Sequence, residues 1–107
     1  MNNWLIEVTD GKLNNIKKLS RKFSKSFPKR SSEFFFNILN KIDGINSKLV
    51  VLKVGNDIHG SIIFYKLSGY KFECWSPSYV FVDDDYRNLS IPFLIKSHNT
   101  ISKNIIN

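Results

Sequence analysis

VFVDDDYRNLSIPFLIKS (residues 80–97) joins an apolar, strand-like run to a helix-like run through a group of charged residues. Its apolar run ends at Val82 and predicts a strand, and a helix is predicted to begin at Asn88 or Ser90. Three consecutive aspartates and Arg87 lie between these two elements. The stretch therefore consists of a strand, a polar turn and a helix, and the turn carries most of the chemistry in the sequence.

Three kinds of chemistry could use this polar turn. Asp83 and Asp85 form an Asp-x-Asp pair of the kind that nucleotide-sugar glycosyltransferases use to hold a divalent cation, since hard cations prefer carboxylate oxygens. An aspartate at a strand end could instead remove a proton if burial raises its pKa. The turn could also bind phosphate, because unpaired amides at a helix N-terminus and Arg87 attract anions. The alternative to all three is a solvated connection in which the acids balance the arginine and the helix dipole.

In the rest of the chain, the spacing of apolar residues alternates between helix-like and strand-like stretches. Apolar spacings of three and four residues predict amphipathic helices, and apolar runs between turn-forming residues predict strands. The predicted elements are a strand Trp4–Val8, a helix Lys12–Phe27, a helix capped by Ser31 or Ser32 that ends near Asp43–Gly44, and strands Leu49–Val54, His59–Tyr65 and Tyr70–Val82, the last with a bulge or a sheet edge at Pro77. With the final helix, the order β-α-α-β-β-β-α predicts one α+β domain over residues 1–107, with an antiparallel meander flanked by helices.

Basic residues are concentrated in one segment of the chain. The formal net charge is +7, and the segment from Lys12 to Arg30 holds no acidic residue but contains Lys12, Lys17, Lys18, Arg21, Lys22, Lys25, Lys29 and Arg30. Such a segment attracts acidic partners, although a lysine-rich helix face is also the ordinary solvated face. No aromatic side chain is interleaved on the basic face of this helix to stack on bases, so the pattern does not favour nucleic acid. A module that binds nucleic acid or an acidic protein through Lys12–Arg30 is the non-enzymatic interpretation.

Composition excludes several other classes of protein. Cys74 is the single cysteine, so no internal disulfide can form, which fits a reducing compartment. No apolar run approaches the roughly 20 residues of a membrane span, and the N-terminus lacks a secretory signal pattern. His59 and His98 have no cysteine or carboxylate at zinc-ligand spacing. We expect a cytoplasmic protein with no metal site and no membrane partner.

The polar turn and its flanks resemble the central motif of the GNAT superfamily of acyl-CoA N-acyltransferases. In that motif an apolar strand ending in valine is followed by x-Pro-Glu-Tyr-Arg, by Gly-x-Gly-x-Gly/Ala and by a leucine-rich helix. The residues that match in place are Val82, Asp85, Tyr86, Arg87 and the pair Leu94-Ile95. The earlier elements agree in order, so the resemblance spans nearly the whole chain, but it is specific only around residues 79 to 95.

The resemblance implies a reaction and a set of site residues. A GNAT-like domain would transfer the acetyl group of acetyl-CoA directly to an amine, whose identity the resemblance leaves open. The backbone of Phe81 and Val82 would bond the pantetheine arm. The pyrophosphate would be received by the turn Arg87–Ile91, that is by Arg87, Asn88, Leu89, Ser90 and Ile91. A carboxylate, Glu73 or Asp83, would remove the proton of the attacking amine, often through water.

Some features depart from the family pattern. Asp84 stands where the family has proline, and Ser90 and Pro92 stand at two glycine or alanine positions of the phosphate cradle. Pro92 has no N–H to donate, so one phosphate contact is absent there. The family continues beyond this helix with further strands that the chain as given lacks, so we expect a truncated domain that could be inactive alone. Its exposed sheet edge could self-associate or pair with another chain.

Overall fold

The computed structural model describes residues 3–9, 15–69 and 71–106, with side chains described as far as Ile101. In chain order the elements are β1 (Trp4–Thr9), α1 (Ile16–Ser26), α2 (Ser32–Asn40), β2 (Ser47–Val54), β3 (Asp57–Leu67), β4 (Cys74–Val82), a 3-10 helix (Asp84–Leu89) and α3 (Ser90–Ile106). This order confirms the predicted β-α-α-β-β-β-α arrangement and the α+β class.

The four strands form one sheet in the order β1-β2-β3-β4. Each strand pairs antiparallel with its neighbour in the sequence, as the predicted meander requires. β1 and β4 are therefore the edges of the sheet, and no described strand lies on the outer side of β4.

Helices cover both faces of this sheet. The four residues Leu49–Leu52 at the centre of β2 are fully buried, and because side chains alternate along a strand they supply both faces. On one face α1 and α2 contribute Phe23 and Phe35, whose rings stack with centroids 5.2 Å apart. On the other face α3 contributes Phe93 and Ile101. The sheet is thus the middle of three layers, and the C-terminal end of β4 lies between α1 and α3.

Local sequence signals set the ends of α2 and of the β2–β3 hairpin. The Ser31 hydroxyl oxygen accepts a hydrogen bond from the Phe34 N–H at 3.1 Å, which confirms Ser31 as the helix cap. Gly55 has a φ of +64°, which glycine adopts without strain. With Asn56 it forms the two-residue loop of the hairpin, since Val54 already pairs with Asp57.

Several boundaries differ from those predicted. α2 ends at Asn40 rather than near Asp43, and the Asp43 carboxylate instead accepts hydrogen bonds from the N–H groups of Ile45 and Asn46, each at 2.8 Å. The strands also differ in extent: β2 begins at Ser47, β3 runs from Asp57 to Leu67, and β4 begins at Cys74. The predicted helix start at Lys12 and strand start at Tyr70 lie outside the described residues. No helix in the described part of the chain is long and apolar enough to cross a membrane.

β4 passes through Pro77 without ending. Its register with β3 shifts between Ile63 and Phe64, which leaves Ser78 as the extra residue of a bulge. Both features predicted for Pro77, a bulge and a sheet edge, are therefore confirmed. A proline is tolerated at such a position because no neighbouring strand needs its missing N–H.

Candidate functional site

A cleft of about 750 Å³ opens along the outer edge of β4. One wall is the C-terminal half of α1, and the opposite wall is the polar turn with the first turns of α3. The lining residues are Lys22, Lys25, Ser26, Val80, Phe81, Val82, Asp83, Asp84, Arg87, Ser90, Ile91 and Leu94. The fold therefore gathers most of the polar turn around one concave surface.

The outer edge of β4 offers backbone groups to this cleft. The Asp83 N–H donates to His59 O at 2.7 Å, so the backbone of Asp83 faces β3. Because this orientation alternates along an antiparallel strand, Phe81 also faces β3, whereas Val80 and Val82 face outward. The Val82 carbonyl accordingly accepts a hydrogen bond from Arg87 Nε at 2.9 Å. The backbone groups of Val80 and Val82 thus face the cleft, whereas those of Phe81 face β3, and the predicted contact of Phe81 and Val82 with pantetheine stays a prediction.

Arg87 folds back across the polar turn. In addition to its bond to Val82, its Nη2 atom lies 3.0 Å from Asp84 Oδ1, and the side chain is 64% exposed. An ion pair this exposed contributes little to stability. The guanidinium can therefore exchange Asp84 for a stronger anion that enters the cleft.

The polar turn itself is a 3-10 helix, Asp84–Leu89, that continues directly into α3. Amides in such a helix donate to carbonyls three residues back, and the Ser90 N–H donates to Arg87 O in this way. Pro92, in the first turn of α3, has no N–H. The turn therefore offers fewer free amides than a glycine-rich cradle, and cationic side chains must supply more of any anion affinity.

Asp83 lies at the centre of a cluster that joins three elements. Lys22 Nζ, from α1, donates to Asp83 Oδ2 at 2.7 Å and to Ile58 O at 3.0 Å. His59 Nδ1, from β3, lies 3.0 Å from the same carboxylate oxygen. Each of the three side chains is less than a third exposed. The cluster ties α1 and β3 to the end of β4, where the polar turn begins.

A bulge in β3 brings His59 into this cluster. The β2–β3 register shifts between Leu52 and Lys53, which leaves His59 unpaired with β2. Its imidazole stacks on the Tyr86 ring with centroids 4.1 Å apart. At the adjacent Gly60 a Cβ atom would lie only 3.1 Å from Phe81 O, so the close approach of β3 and β4 depends on glycine.

The environment of Asp83 keeps its carboxylate ionised. Burial raises the pKa of Asp83, but the hydrogen bonds and charges of Lys22 and His59 together outweigh burial and hold that pKa below its ordinary value. A carboxylate with a lowered pKa is a weak proton acceptor. The geometry suits a group that fixes the end of β4 better than it suits a general base.

The cleft collects six of the nine site residues predicted from the sequence: Phe81, Val82, Asp83, Arg87, Ser90 and Ile91. The other three do not line it. Asn88 is exposed, and Leu89 packs against the core on the α3 side of the sheet. Glu73 precedes β4 at its far end, roughly 30 Å from Asp83 at the usual rise of a strand, and pairs with Lys66 at 2.9 Å. Glu73 and Asp83 therefore cannot act on the same atom.

Lys22, Lys25 and His59 contribute to the site without having been assigned to it from the sequence. Lys22 and Lys25 are three residues apart, so they lie on one side of α1, but the sequence offered five basic residues on that helix and no reason to choose these two. His59 could not have been found from periodicity, because a bulge set by tertiary pairing turns it toward Asp83.

The three aspartates of the polar turn do not converge. Asp83 pairs with Lys22, Asp84 pairs with Arg87, and Asp85 is exposed. Within residues 3–9, 15–69 and 71–101, no group of three or more His, Cys, Asp or Glu side chains surrounds a common metal position. The described side chains thus give the Asp-x-Asp cation site no support.

Solved acetyltransferase structures superpose on nearly the whole chain. An aminoglycoside N-acetyltransferase in complex with CoA matches with a TM-score of 0.78 and 9% identity, over 97% of this chain and 72% of that chain. A ribosomal-protein-alanine N-acetyltransferase from Brucella melitensis biovar Abortus matches with a TM-score of 0.71 and 12% identity, over 96% and 74%. An aminoglycoside acetyltransferase from an uncultured soil metagenomic sample, in complex with sisomicin, matches with a TM-score of 0.67 and 19% identity, over 95% of this chain and 72% of that chain. No protein-family model and no curated protein matches the sequence.

These similarities concern topology. The identities are too low to carry a substrate from one protein to another, whereas the TM-scores and the coverage describe a shared path of the chain. The shared path includes the antiparallel meander, its flanking helices and the strand, turn and helix of residues 80–97. The chain therefore has the fold of the GNAT superfamily of acyl-CoA N-acyltransferases.

Proposed function

We propose that this protein transfers an acetyl group from acetyl-CoA to an amine. The observation that carries the proposal is the cleft along the outer edge of β4, because it combines outward-facing backbone groups with Arg87 and the N-terminal turn of α3. An edge strand pairs with an extended amide-containing chain as it would with another strand, and the pantetheine arm is such a chain.

In this proposal the acyl-CoA lies along β4 with its phosphates at the polar turn. Val80 holds the pantetheine arm through its outward N–H and C=O groups and Val82 through its N–H, since the Val82 carbonyl accepts from Arg87. Arg87 leaves Asp84 and binds the pyrophosphate together with the backbone around Ser90 and Ile91, where the helix dipole also favours an anion. The arm then runs back along β4 toward the bulge at Ser78.

The reaction needs a neutral amine close to the thioester. The amine nitrogen forms a bond to the thioester carbonyl carbon, the C–S bond breaks, and the CoA thiolate leaves and takes up a proton. Glu73 is remote from the cleft, and Asp83 has a lowered pKa and two partners. We therefore assign Asp83 a positioning role in place of the predicted role of base, and the proton of the amine leaves to water.

Isothermal titration of the folded protein with acetyl-CoA and with CoA tests this proposal. We expect binding of both ligands, weakened about ten-fold or more by Arg87→Glu, since a charge-assisted contact is replaced by repulsion. Arg21→Glu is the matched control, because Arg21 lies on α1 but does not line the cleft. No detectable binding by the folded wild-type protein would refute the proposal, and an undiminished affinity of Arg87→Glu would refute the phosphate assignment.

A basic binding module remains the second candidate. Lys17, Lys18, Arg21 and Lys25 are exposed on α1, and such a surface can bind nucleic acid or an acidic protein. That function requires affinity that falls steeply as salt rises from 50 to 200 mM. If binding to DNA and RNA is absent at the lower salt concentration, the nucleic-acid form of this candidate is excluded.

A further inference from the structure

The α1 wall of the cleft is positively charged. Lys22 and Lys25 line the cleft from this side, and residues 16–30 contain seven basic side chains (Lys17, Lys18, Arg21, Lys22, Lys25, Lys29, Arg30) and no acidic one. Lys22 is already paired with Asp83. Among the described side chains, no carboxylate lies within ion-pair distance of Lys25. Lys25 is therefore the cation on this wall that is available to a ligand.

Lys25 lines the cleft together with the last three residues of β4, Val80–Val82. Two contacts hold α1 and its C-terminal cap to β4 and the residue after it. Lys22 donates to Asp83, and the centroids of the Phe27 and Tyr79 rings lie 5.2 Å apart. Lys25 lies between Lys22 and Phe27 in the sequence, so it belongs to the stretch of α1 that packs along β4. In the arrangement proposed above, the α3 wall receives the phosphates and the arm runs back along β4 toward the bulge at Ser78. The α1 wall is thus left to the molecule that attacks the thioester.

We propose that the acceptor is an amine that also carries a carboxylate or a phosphate, and that Lys25 binds this anionic group. The inference rests on the proposed function and narrows its substrate class. A positive charge near the amine also favours the neutral form that attacks the thioester, because a like charge disfavours the ammonium form. A polycationic acceptor would meet repulsion from the same wall and from the net charge of +7.

Two sources of this chemistry can be separated by experiment. An acidic peptide presents carboxylates beside its N-terminal amine, and a phosphorylated amino sugar presents a phosphate at a similar distance. The probes are glucosamine 6-phosphate with glucosamine as its neutral counterpart, and an Asp-Glu peptide with an Asn-Gln peptide as its counterpart. A polycationic aminoglycoside is the fifth probe.

The dissociation constant of each probe is measured with the full chain in the presence of saturating CoA. We expect at least one anionic probe to bind about ten-fold or more tightly than its neutral counterpart, and the aminoglycoside to bind more weakly than either anionic probe. Lys25→Glu should abolish the preference for the anionic probe. Lys17→Glu, the matched change on an α1 residue outside the cleft, should leave that preference within about two-fold.

Three outcomes would overturn the inference: equal affinities within both pairs, no binding of either anionic probe at millimolar concentration, or a preference that survives Lys25→Glu. The affinity for CoA is measured separately and reports on the proposed function. If CoA does not bind, the proposed function fails, and the probes titrated without CoA still show whether Lys25 selects anionic amines.

Discussion

At the scale of single residues, Asp83 distinguishes two accounts of the cleft. As a general base, Asp83 would need a free carboxylate lone pair to accept the proton of the amine, and Asp83→Asn would abolish turnover. As a positioning residue it holds α1 and β3 to the end of β4 through Lys22 and His59. The two accounts predict different effects of substitutions at Asp83 and at Lys22.

We expect Lys22→Met, but not Asp83→Asn, to weaken CoA binding. Asp83→Asn removes a negative charge from the cleft and leaves Lys22 unpaired, so CoA should bind as tightly as to the wild type or a few-fold more tightly. Lys22→Met leaves the carboxylate uncompensated beside the phosphates and should weaken CoA binding by roughly three- to ten-fold. Turnover of Asp83→Asn at saturating acceptor should persist. Complete loss of turnover with normal CoA binding would instead make Asp83 the base.

The pH dependence of unfolding provides a control for the variants Asp83→Asn and Lys22→Met. The pKa of Asp83 is lower in the folded protein than its ordinary value, so its pairing stabilises the fold above the unfolded-state pKa of about 4. That stabilisation is lost as the pH falls through the folded-state pKa. Asp83→Asn should therefore reduce stability at neutral pH but flatten the acid limb of the unfolding profile, as measured by denaturant titration at several pH values.

Sequence reasoning at this scale identified residue types better than orientations. Val82 and Arg87, both predicted as cofactor-binding residues, line the cleft, because their spacing in a strand–turn–helix leaves little freedom. The direction of the Phe81 backbone toward β3 could not be read from the sequence, since a shift of one residue in register reverses the direction of every backbone group. His59 lies at Asp83 because of a bulge, and a bulge is fixed by pairing between strands that are distant in the sequence.

At the scale of elements, the connection from β4 into α3 shows which features the sequence encodes locally. A helix start at Asn88 or Ser90 was predicted from the polar turn and the apolar residues that follow, and α3 begins at the second of these positions. The 3-10 form of the turn was not predicted, because aspartates are compatible with several turn geometries. This form determines how many amides remain for an anion.

Pro92 lies in the first turn of α3, where proline is tolerated, but it does not line the cleft. We expect Pro92→Ala to preserve the helix and to leave CoA affinity within about two-fold of the wild type, because the added N–H donates to a carbonyl of the preceding 3-10 helix and not to the cleft. Calorimetric titration of the variant tests this expectation, with Pro28→Ala, in the connection between α1 and α2, as the matched control. A clear gain in affinity would contradict this and would show that the phosphates contact the backbone at position 92.

At the scale of the whole molecule, the outer edge of β4 is the feature with the widest consequences. The order of β2, β3 and β4 followed from two sequential hairpins, which could be predicted from periodicity and turns, whereas the pairing of β1 with β2 spans the two helices between them. The layering also followed, because β2 is apolar on both faces and needs a helix on each side. The cleft could not be predicted in the same way, since its α1 wall depends on how three distant segments pack.

The same edge could also serve association between proteins, as the sequence led us to expect. A second copy that paired with β4 would use the outward groups of Val80 and Val82, which the proposed function assigns to pantetheine. Strand pairing and CoA binding would therefore compete. Sedimentation measurements should show that CoA lowers any self-association, and self-association that CoA leaves unchanged would place the contact elsewhere.

Backbone amide chemical shifts during a titration with CoA test the central claim most directly. The account predicts that the amides of Val80, Val82 and Arg87 shift strongly and saturably, while that of Phe81, which faces β3, and that of Glu73 shift little. Arg87→Glu should reduce these shifts at the same CoA concentration. Saturable shifts confined to other parts of the chain, or no shifts at millimolar CoA, would contradict an acyl-CoA site along the edge of β4.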